Sequence, residues 1–301
     1  MLGAAALLAL PLAIGTEQNG ATNWINIGGT SVQPSELVKL ALLLILSWYM
    51  SRRRFLPWFA FTVFSLLVLM LQQDLGTALI YYATTLFLFY ASTGNLPLTG
   101  LGLVGAGGAA ALGYAMFAHV KKRVAIWRNP WIYYETSGYQ IVQMLMAIAS
   151  GGLFGVGLGL GAPRVIPVYF TDCIFAVICE EFGIIFGIAV IALYLVFIIR
   201  GALVALYARD RYLMLVAFGC TVLITLQSFI IIGGVIKLIP LTGITMPFVS
   251  HGGSSLIASL MLLGILEGVA MRNGDMLEDA MDAALEEDRR ISRQEGGEHA
   301  G

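Results

Sequence analysis

The chain alternates long apolar runs with short polar breaks, and several of the runs are long enough to read as membrane crossings. A spanning helix needs about twenty apolar residues to cross a hydrocarbon core of roughly 30 Å. Eight segments are candidates: residues 1–15, 35–50, 55–71, 75–92, 97–119, 173–199, 212–235 and 252–271. The first is short and reads as the second half of a helix. The pattern predicts an all-α polytopic membrane protein of about eight transmembrane segments over residues 1–271, with one large loop at 120–172 and a polar tail at 272–301.

Composition agrees with that class. The 301 residues are 58% hydrophobic and only 12% charged, where soluble domains carry about 25% charge. The net charge of −1 conceals an asymmetry, because nine of the eighteen acidic residues lie in the tail. This predicts an acidic cytoplasmic tail, either a short surface helix or disordered. Cys173, Cys179 and Cys220 all fall within apolar runs without a CxxC pair, so neither a disulfide framework nor a metal site is indicated. The apolar start has no basic flank and reads as part of a spanning helix rather than a cleavable signal. No Walker loop is present, which argues against ATP-driven transport by this chain alone. Nothing in the charge pattern suggests nucleic acid as a partner.

Short loops set the orientation. Residues 51–54 (SRRR) and 200–211 (RGALVALYARDR) hold six basic residues and share a side, whereas 16–34 and 72–74 hold none. The basic side is therefore cytoplasmic. Parity then puts 120–172 outside, although it contains Lys121, Lys122, Arg123, Arg128 and Arg164. Either the helix count is off by one or this loop serves an anionic partner.

With this topology the helices starting near residues 35, 75, 173 and 252 all enter from outside, and all four start with polar residues. Glu36 and Lys39 are three apart on one helical face and can pair, as a structural ion pair or as part of a site. Asp172 reads either as an N-cap with Thr171 or as a functional carboxylate at the membrane edge, and Asp74 reads as a helix cap. Glu180 would lie about 12 Å deeper in the helix than Asp172 and about 80° around it, close enough in angle to line the same cavity. An ionised carboxylate inside a span costs a few kcal/mol and is a functional candidate by default. Ser250 and His251 suggest a nucleophile pair, but a polar helix start accounts for them as well. The glycine run GGLFGVGLGLG at 151–161 contains a formal G-x-G-x-x-A with Ala162, yet no strand precedes it, so a dinucleotide site is rejected. Close helix packing or a half-inserted segment fits it better.

Taken together, five stretches in order resemble the SEDS family of cell-wall proteins, the RodA, FtsW and SpoVE group. They are NGATNWINIGGTSVQPSELVKL (19–40), QQDLGTALI (72–80), YQIVQMLMAIASGGLFGVGLGLG (139–161), RVIPVYFTDCIFAVICEEFG (164–183) and PLTGITMPFVSHGGSSLIA (240–258). The resemblance implies a ten-helix fold, of which two initial helices and part of a third are not in this sequence. It also implies polymerisation of lipid II, the undecaprenyl-pyrophosphate-linked disaccharide peptide, by an inverting peptidoglycan glycosyltransferase with a class B penicillin-binding protein as partner. Asp172 falls on the family's essential carboxylate, the proposed general base. Glu36 and Lys39 fall on its QPSExxK motif, and Lys39, Arg164 and Lys121 to Arg123 are candidates for the departing pyrophosphate. Glu180, Ser250 and His251 complete the expected substrate cavity. A divalent cation is the one cofactor this reading leaves open. The sequence departs from the family at Thr22 and Asn23, where two arginines are usual, and at Phe170, Gln73 and His251, where His, Pro and Tyr are usual. A lipid II flippase or transporter, or a non-catalytic scaffold for a penicillin-binding protein, are the competing readings.

Overall fold

A computed structural model describes residues 1–18, 21–27 and 30–274. The fold is an all-α polytopic membrane bundle. Its helices are α1 (Leu2–Ala9), α2 (Pro11–Ile14), α3 (Pro34–Ser51), α4 (Phe55–Leu71), α5 (Leu75–Thr93), α6 (Leu96–Met116), α7 (Ala118–Arg128), α8 (Tyr139–Gly151), α9 (Ile174–Tyr207), α10 (Arg211–Val235) and α11 (Gly253–Gly274). Among the described residues, six are long and apolar enough to cross a membrane: α3, α5, α6, α9, α10 and α11. The stretch Leu2–Ile14 and α4 are shorter apolar helices, so the eight segments read from the pattern all exist as helices. Of the expected acidic tail, residues 275–301 lie outside the described residues.

The pattern did not predict strands between α2 and α3. Thr16–Gln18 (β1), Ala21–Ile27 (β2) and Thr30–Val32 (β3) form a small antiparallel sheet in the order β1-β2-β3. β2 is rich in β-branched and aromatic residues (ATNWINI), and strand pairing satisfies backbone groups that a loop would leave open. The sheet is tied to the bundle where Thr22 N–H donates to Gln72 O at 3.1 Å.

The core lies where α3, α5, α9 and α10 meet, with Leu43, Leu46, Leu88, Leu215, Leu223 and Ile224 fully buried. Small residues let the helices close up. A side chain at Gly219 would collide with Leu43, and one at Gly201 would collide with Thr221.

The loop at 120–172 does not add a crossing. α7 lies against the connection after α10, where Trp127 Nε1 donates to Lys237 O (3.0 Å) and Arg123 to Thr242 O (3.4 Å). α8 then runs beside the first part of α9: Gln140 Nε2 reaches Cys173 Sγ at 3.1 Å, and Gly151 abuts the Cys179 and Glu180 backbone. From there the chain returns to Asp172. The segment is thus a re-entrant hairpin that descends about 13 Å along α9, from the rise per residue. That fits the half-inserted reading of the glycine run.

The turning point explains the glycines. α9 is broken at Gly183 (φ 85°, ψ 169°), which leaves backbone groups unpaired at the break. The hairpin supplies their partners. Val156 N–H and Gly157 N–H donate to Glu180 O and Glu181 O (2.9 and 3.0 Å), while Ile184 N–H and Ile185 N–H donate to Gly152 O and Leu153 O (2.9 and 3.4 Å). Broken helices persist at membrane depth only when neighbouring protein satisfies them in this way. A side chain at Gly155 or Gly183 would strike the opposing backbone.

Candidate active site

Four helix starts meet at one end of the bundle around the connection between α10 and α11, residues 236–252. Asp74 caps α5 as the pattern suggested. One of its oxygens accepts from Thr77 N–H (3.0 Å), and the other accepts from Asn23 Nδ2 (2.7 Å), Thr77 Oγ1 (2.9 Å) and Gln33 Nε2 (3.0 Å). Asn23 therefore bonds the cap by a neutral amide. Gly76, in the first turn of α5, is packed so closely on Thr242 and Ile244 that a side chain there would collide.

Glu36 and Lys39 form the ion pair expected from their spacing, both buried. Lys39 Nζ also donates to Gln227 Oε1 (2.9 Å), and Gln227 Nε2 donates to Thr245 O (2.9 Å). Thr245 Oγ1 shares a 2.5 Å hydrogen bond with Ser255 Oγ. The buried ammonium thus gives two of its three N–H donors to Glu36 and Gln227. Gln227 was missed in the sequence, although a glutamine within LITLQSFIII is a polar group in an apolar span and could have been found on that ground.

Asp172 lies across the same connection. It precedes α9 without capping it: the N-cap is Cys173, and no side chain satisfies the first turn. One Asp172 oxygen accepts from Thr171 Oγ1 (2.5 Å), and the other faces Gly243, whose added Cβ would lie 3.6 Å away. Gly243 has φ 74°, so glycine both permits this turn and leaves the carboxylate open on that side. Burial pushes the Asp172 carboxyl above its ordinary value, opposed by hydrogen bonds from Thr171 and its own backbone and by the positive charge of Arg123.

Ser250 holds the two strands of this site together. Its Oγ donates to Thr171 O (2.6 Å) and accepts from Met246 N–H (2.8 Å), which leaves no free hydroxyl for a nucleophile. His251 N–H donates to Phe170 O (2.8 Å), and its exposed ring meets Phe170 edge-on at 5.7 Å. The structure thus gathers Asp172, Glu36, Lys39, Ser250 and His251 around one loop.

It does not bring in the rest. Glu180 makes no hydrogen bond with Asp172 or Thr171. The helix starts only at Ile174, so helical angles cannot be carried back to Asp172, and Glu180 turns to the re-entrant hairpin instead. Its Oε1 accepts from Ala162 N–H (3.1 Å), and its Oε2 is buried without a partner beside Gly161. Arg164 lines a separate cleft of ≈ 310 Å³ with Gly161 and Glu181. Lys121 is exposed on α7, two residues before the half-buried Arg123 and on another side of the helix. No cluster of three or more His, Cys, Asp or Glu able to hold a metal occurs among the described residues.

The FtsW/RodA/SpoVE family model, described as "Cell cycle protein", matches residues 1–274. The chain belongs to this family. Among FtsW/RodA/SpoVE relatives, the peptidoglycan glycosyltransferase RodA of Mycobacterium leprae is 38% identical over 283 residues, covering 87% of this chain and 61% of that protein. The stage V sporulation protein E of Bacillus subtilis is 38% identical, covering 88% and 75%. The probable peptidoglycan glycosyltransferase FtsW of Geobacter metallireducens is 34% identical, covering 90% and 76%. The chain therefore spans about three fifths of the length of the mycobacterial RodA. Two solved structures share the fold at 28% identity. One comes from a study of how a peptidoglycan synthase complex coordinates polymerization and crosslinking (TM-score 0.73, 90% of this chain and 79% of that one). The other is Thermus thermophilus RodA in a singly substituted form (TM-score 0.66, 90% and 76%).

Proposed function

We propose that the chain is a peptidoglycan glycosyltransferase that polymerises lipid II at the outer face of the bacterial cytoplasmic membrane, with Asp172 as general base. The observation that carries this reading is the placement of Asp172. It is a half-buried carboxylate on a turn clamped by Ser250 and Thr171, with a glycine in front of it, at the end of the bundle opposite the arginine loops.

The chemistry follows from that placement. The acceptor sugar hydroxyl gives its proton to the Asp172 carboxylate as its oxygen bonds the donor's anomeric carbon. The bond from that carbon to the pyrophosphate breaks, and the pyrophosphate leaves with the electron pair, inverting the centre. The raised affinity of a desolvated carboxylate for protons makes Asp172 a better acceptor than a free aspartate. Arg123, whose charge acts on Asp172, is the cation best placed to meet the developing negative charge, with Lys121 and Arg164 on the same folded loop as further candidates. Lys39, already neutralised by Glu36, acts as a positioning residue that fixes the catalytic loop through Gln227 and Thr245. The donor carries its own leaving group, so no nucleotide is needed.

A class B penicillin-binding protein is the proposed partner. The test is glycan-strand formation from purified lipid II by the purified chain, with and without that partner carrying an inactivated transpeptidase. Strands support the reading. Movement of lipid II across vesicle bilayers without strands would replace it with transport, and neither activity from folded protein would replace it with a scaffold.

A further inference from the structure

At the opposite end of the bundle, a cavity of ≈ 270 Å³ opens between the end of α3, the start of α4, the end of α5 and the start of α10. Arg53 and Arg211 line one part of it with Ser92, while Phe55, Trp58 and Phe89 line the other. Neither arginine has a carboxylate within ion-pair range among the described residues. The nearest acid in sequence, Asp210, is engaged by Tyr212 N–H at 3.1 Å. Arg211 is fixed by donating to Ser92 O at the end of α5. Arg53 is held at φ 54°, a left-handed helix end that glycine would occupy more easily. Arg52 stacks 3.6 Å over Trp48, which itself meets Tyr212 edge-on at 5.7 Å. The adjoining outer surface is apolar: Phe55, Leu56 and Phe59 are 54%, 75% and 46% exposed.

We propose that this cavity binds the phosphate headgroup of one anionic phospholipid from the cytoplasmic leaflet. Two guanidinium groups, one just after α3 and one at the start of α10, line the same cavity and offer N–H donors to phosphate oxygens. Arginines next to an aromatic belt at the inner end of spanning helices are the arrangement that recognises anionic lipid there. The cavity has room for a phosphate with its ester oxygens, and the acyl chains then run down the exposed face of α4. The lipid joins α3 and α10, the two helices that carry Lys39 and Gln227 near their other ends. This inference does not depend on the reaction proposed above.

Phosphate chemistry alone would also admit a free phosphate, so the test separates the two sources. The full chain in detergent is titrated with phosphatidylglycerol, with phosphatidylcholine and with inorganic phosphate, and bound species are counted by native mass spectrometry. One phosphatidylglycerol binds in preference to phosphatidylcholine and survives millimolar phosphate. In Arg53→Gly its affinity falls roughly tenfold or more, while the thermal midpoint in phosphatidylcholine nanodiscs holds, because glycine suits the backbone at that position. Equal binding of the two lipids, full retention in Arg53→Gly, or displacement by inorganic phosphate would each overturn the proposal. So would phosphatidylglycerol binding that appears only after the carboxylates of residues 275–298 are changed to amides, since the tail would then be the occupant.

Discussion

At the scale of single residues, the account rests on what surrounds each buried charge. Arg123 lowers the proton affinity that burial gives Asp172, so removing it moves the carboxyl further above its ordinary value. A base works only when deprotonated, and polymerisation is therefore lost as pH falls through that value. Arg123→Gln shifts the acid limb of the pH–rate profile to higher pH, and a limb left in place would detach Arg123 from Asp172. Lys39→Met strands Glu36 as an unpaired buried carboxylate, with an expected loss of about 3–5 kcal/mol. Thermal unfolding should show much of that loss recovered in Glu36→Gln/Lys39→Met. The pairing of Glu36 with Lys39 and the capping role of Asp74 were legible in the sequence because both depend on spacings of three residues within one helix. The polar Gln227 within an apolar run was visible, but its bonds to Lys39 and Thr245, and the turning of Glu180 toward the re-entrant hairpin, were not, since each depends on contacts between segments distant in sequence.

At the scale of elements, hydrophobic runs located each helix long and apolar enough to span among the described residues, because bilayer thickness imposes a length that composition reveals. They could not show that α9 is two pieces. The run 173–199 reads as continuous helix, which the structure extends to Tyr207 through the first part of the 200–211 loop, and the pairing of the 151–157 backbone with residues 180–185 stabilises the break at Gly183. The small sheet before α3 was also missed, being too short and polar to give a period. Gly183→Ala and Gly151→Ala should lower stability by roughly 2–4 kcal/mol, through left-handed strain in the first and backbone collision in the second. Gly107→Ala in α6, with nothing within 4 Å of the new methyl, should be neutral or stabilising. Equal effects at all three positions, measured by thermal unfolding in detergent, would contradict the hairpin's role.

At the scale of the molecule, the two ends of the bundle differ in chemistry. One gathers Asp172, Ser250, His251 and the Glu36–Lys39 pair, and the other presents Arg52, Arg53, Arg54 and Arg211. The sequence already implied this polarity through its loop charges, and the hairpin, which enters and leaves at the same end, adds no crossing and keeps the basic α7 beside the connection after α10. In sealed vesicles, His251→Cys should react with an impermeant thiol reagent from the outside and Arg54→Cys only from the inside. The central claim is that this polar end performs glycosyl transfer through Asp172. Its most direct measurement compares lipid II polymerisation by the wild type and by Asp172→Asn, alongside lipid II binding by each. The account predicts unchanged binding and folding with strand formation abolished in the variant. Strands made by Asp172→Asn at the wild-type rate would contradict it.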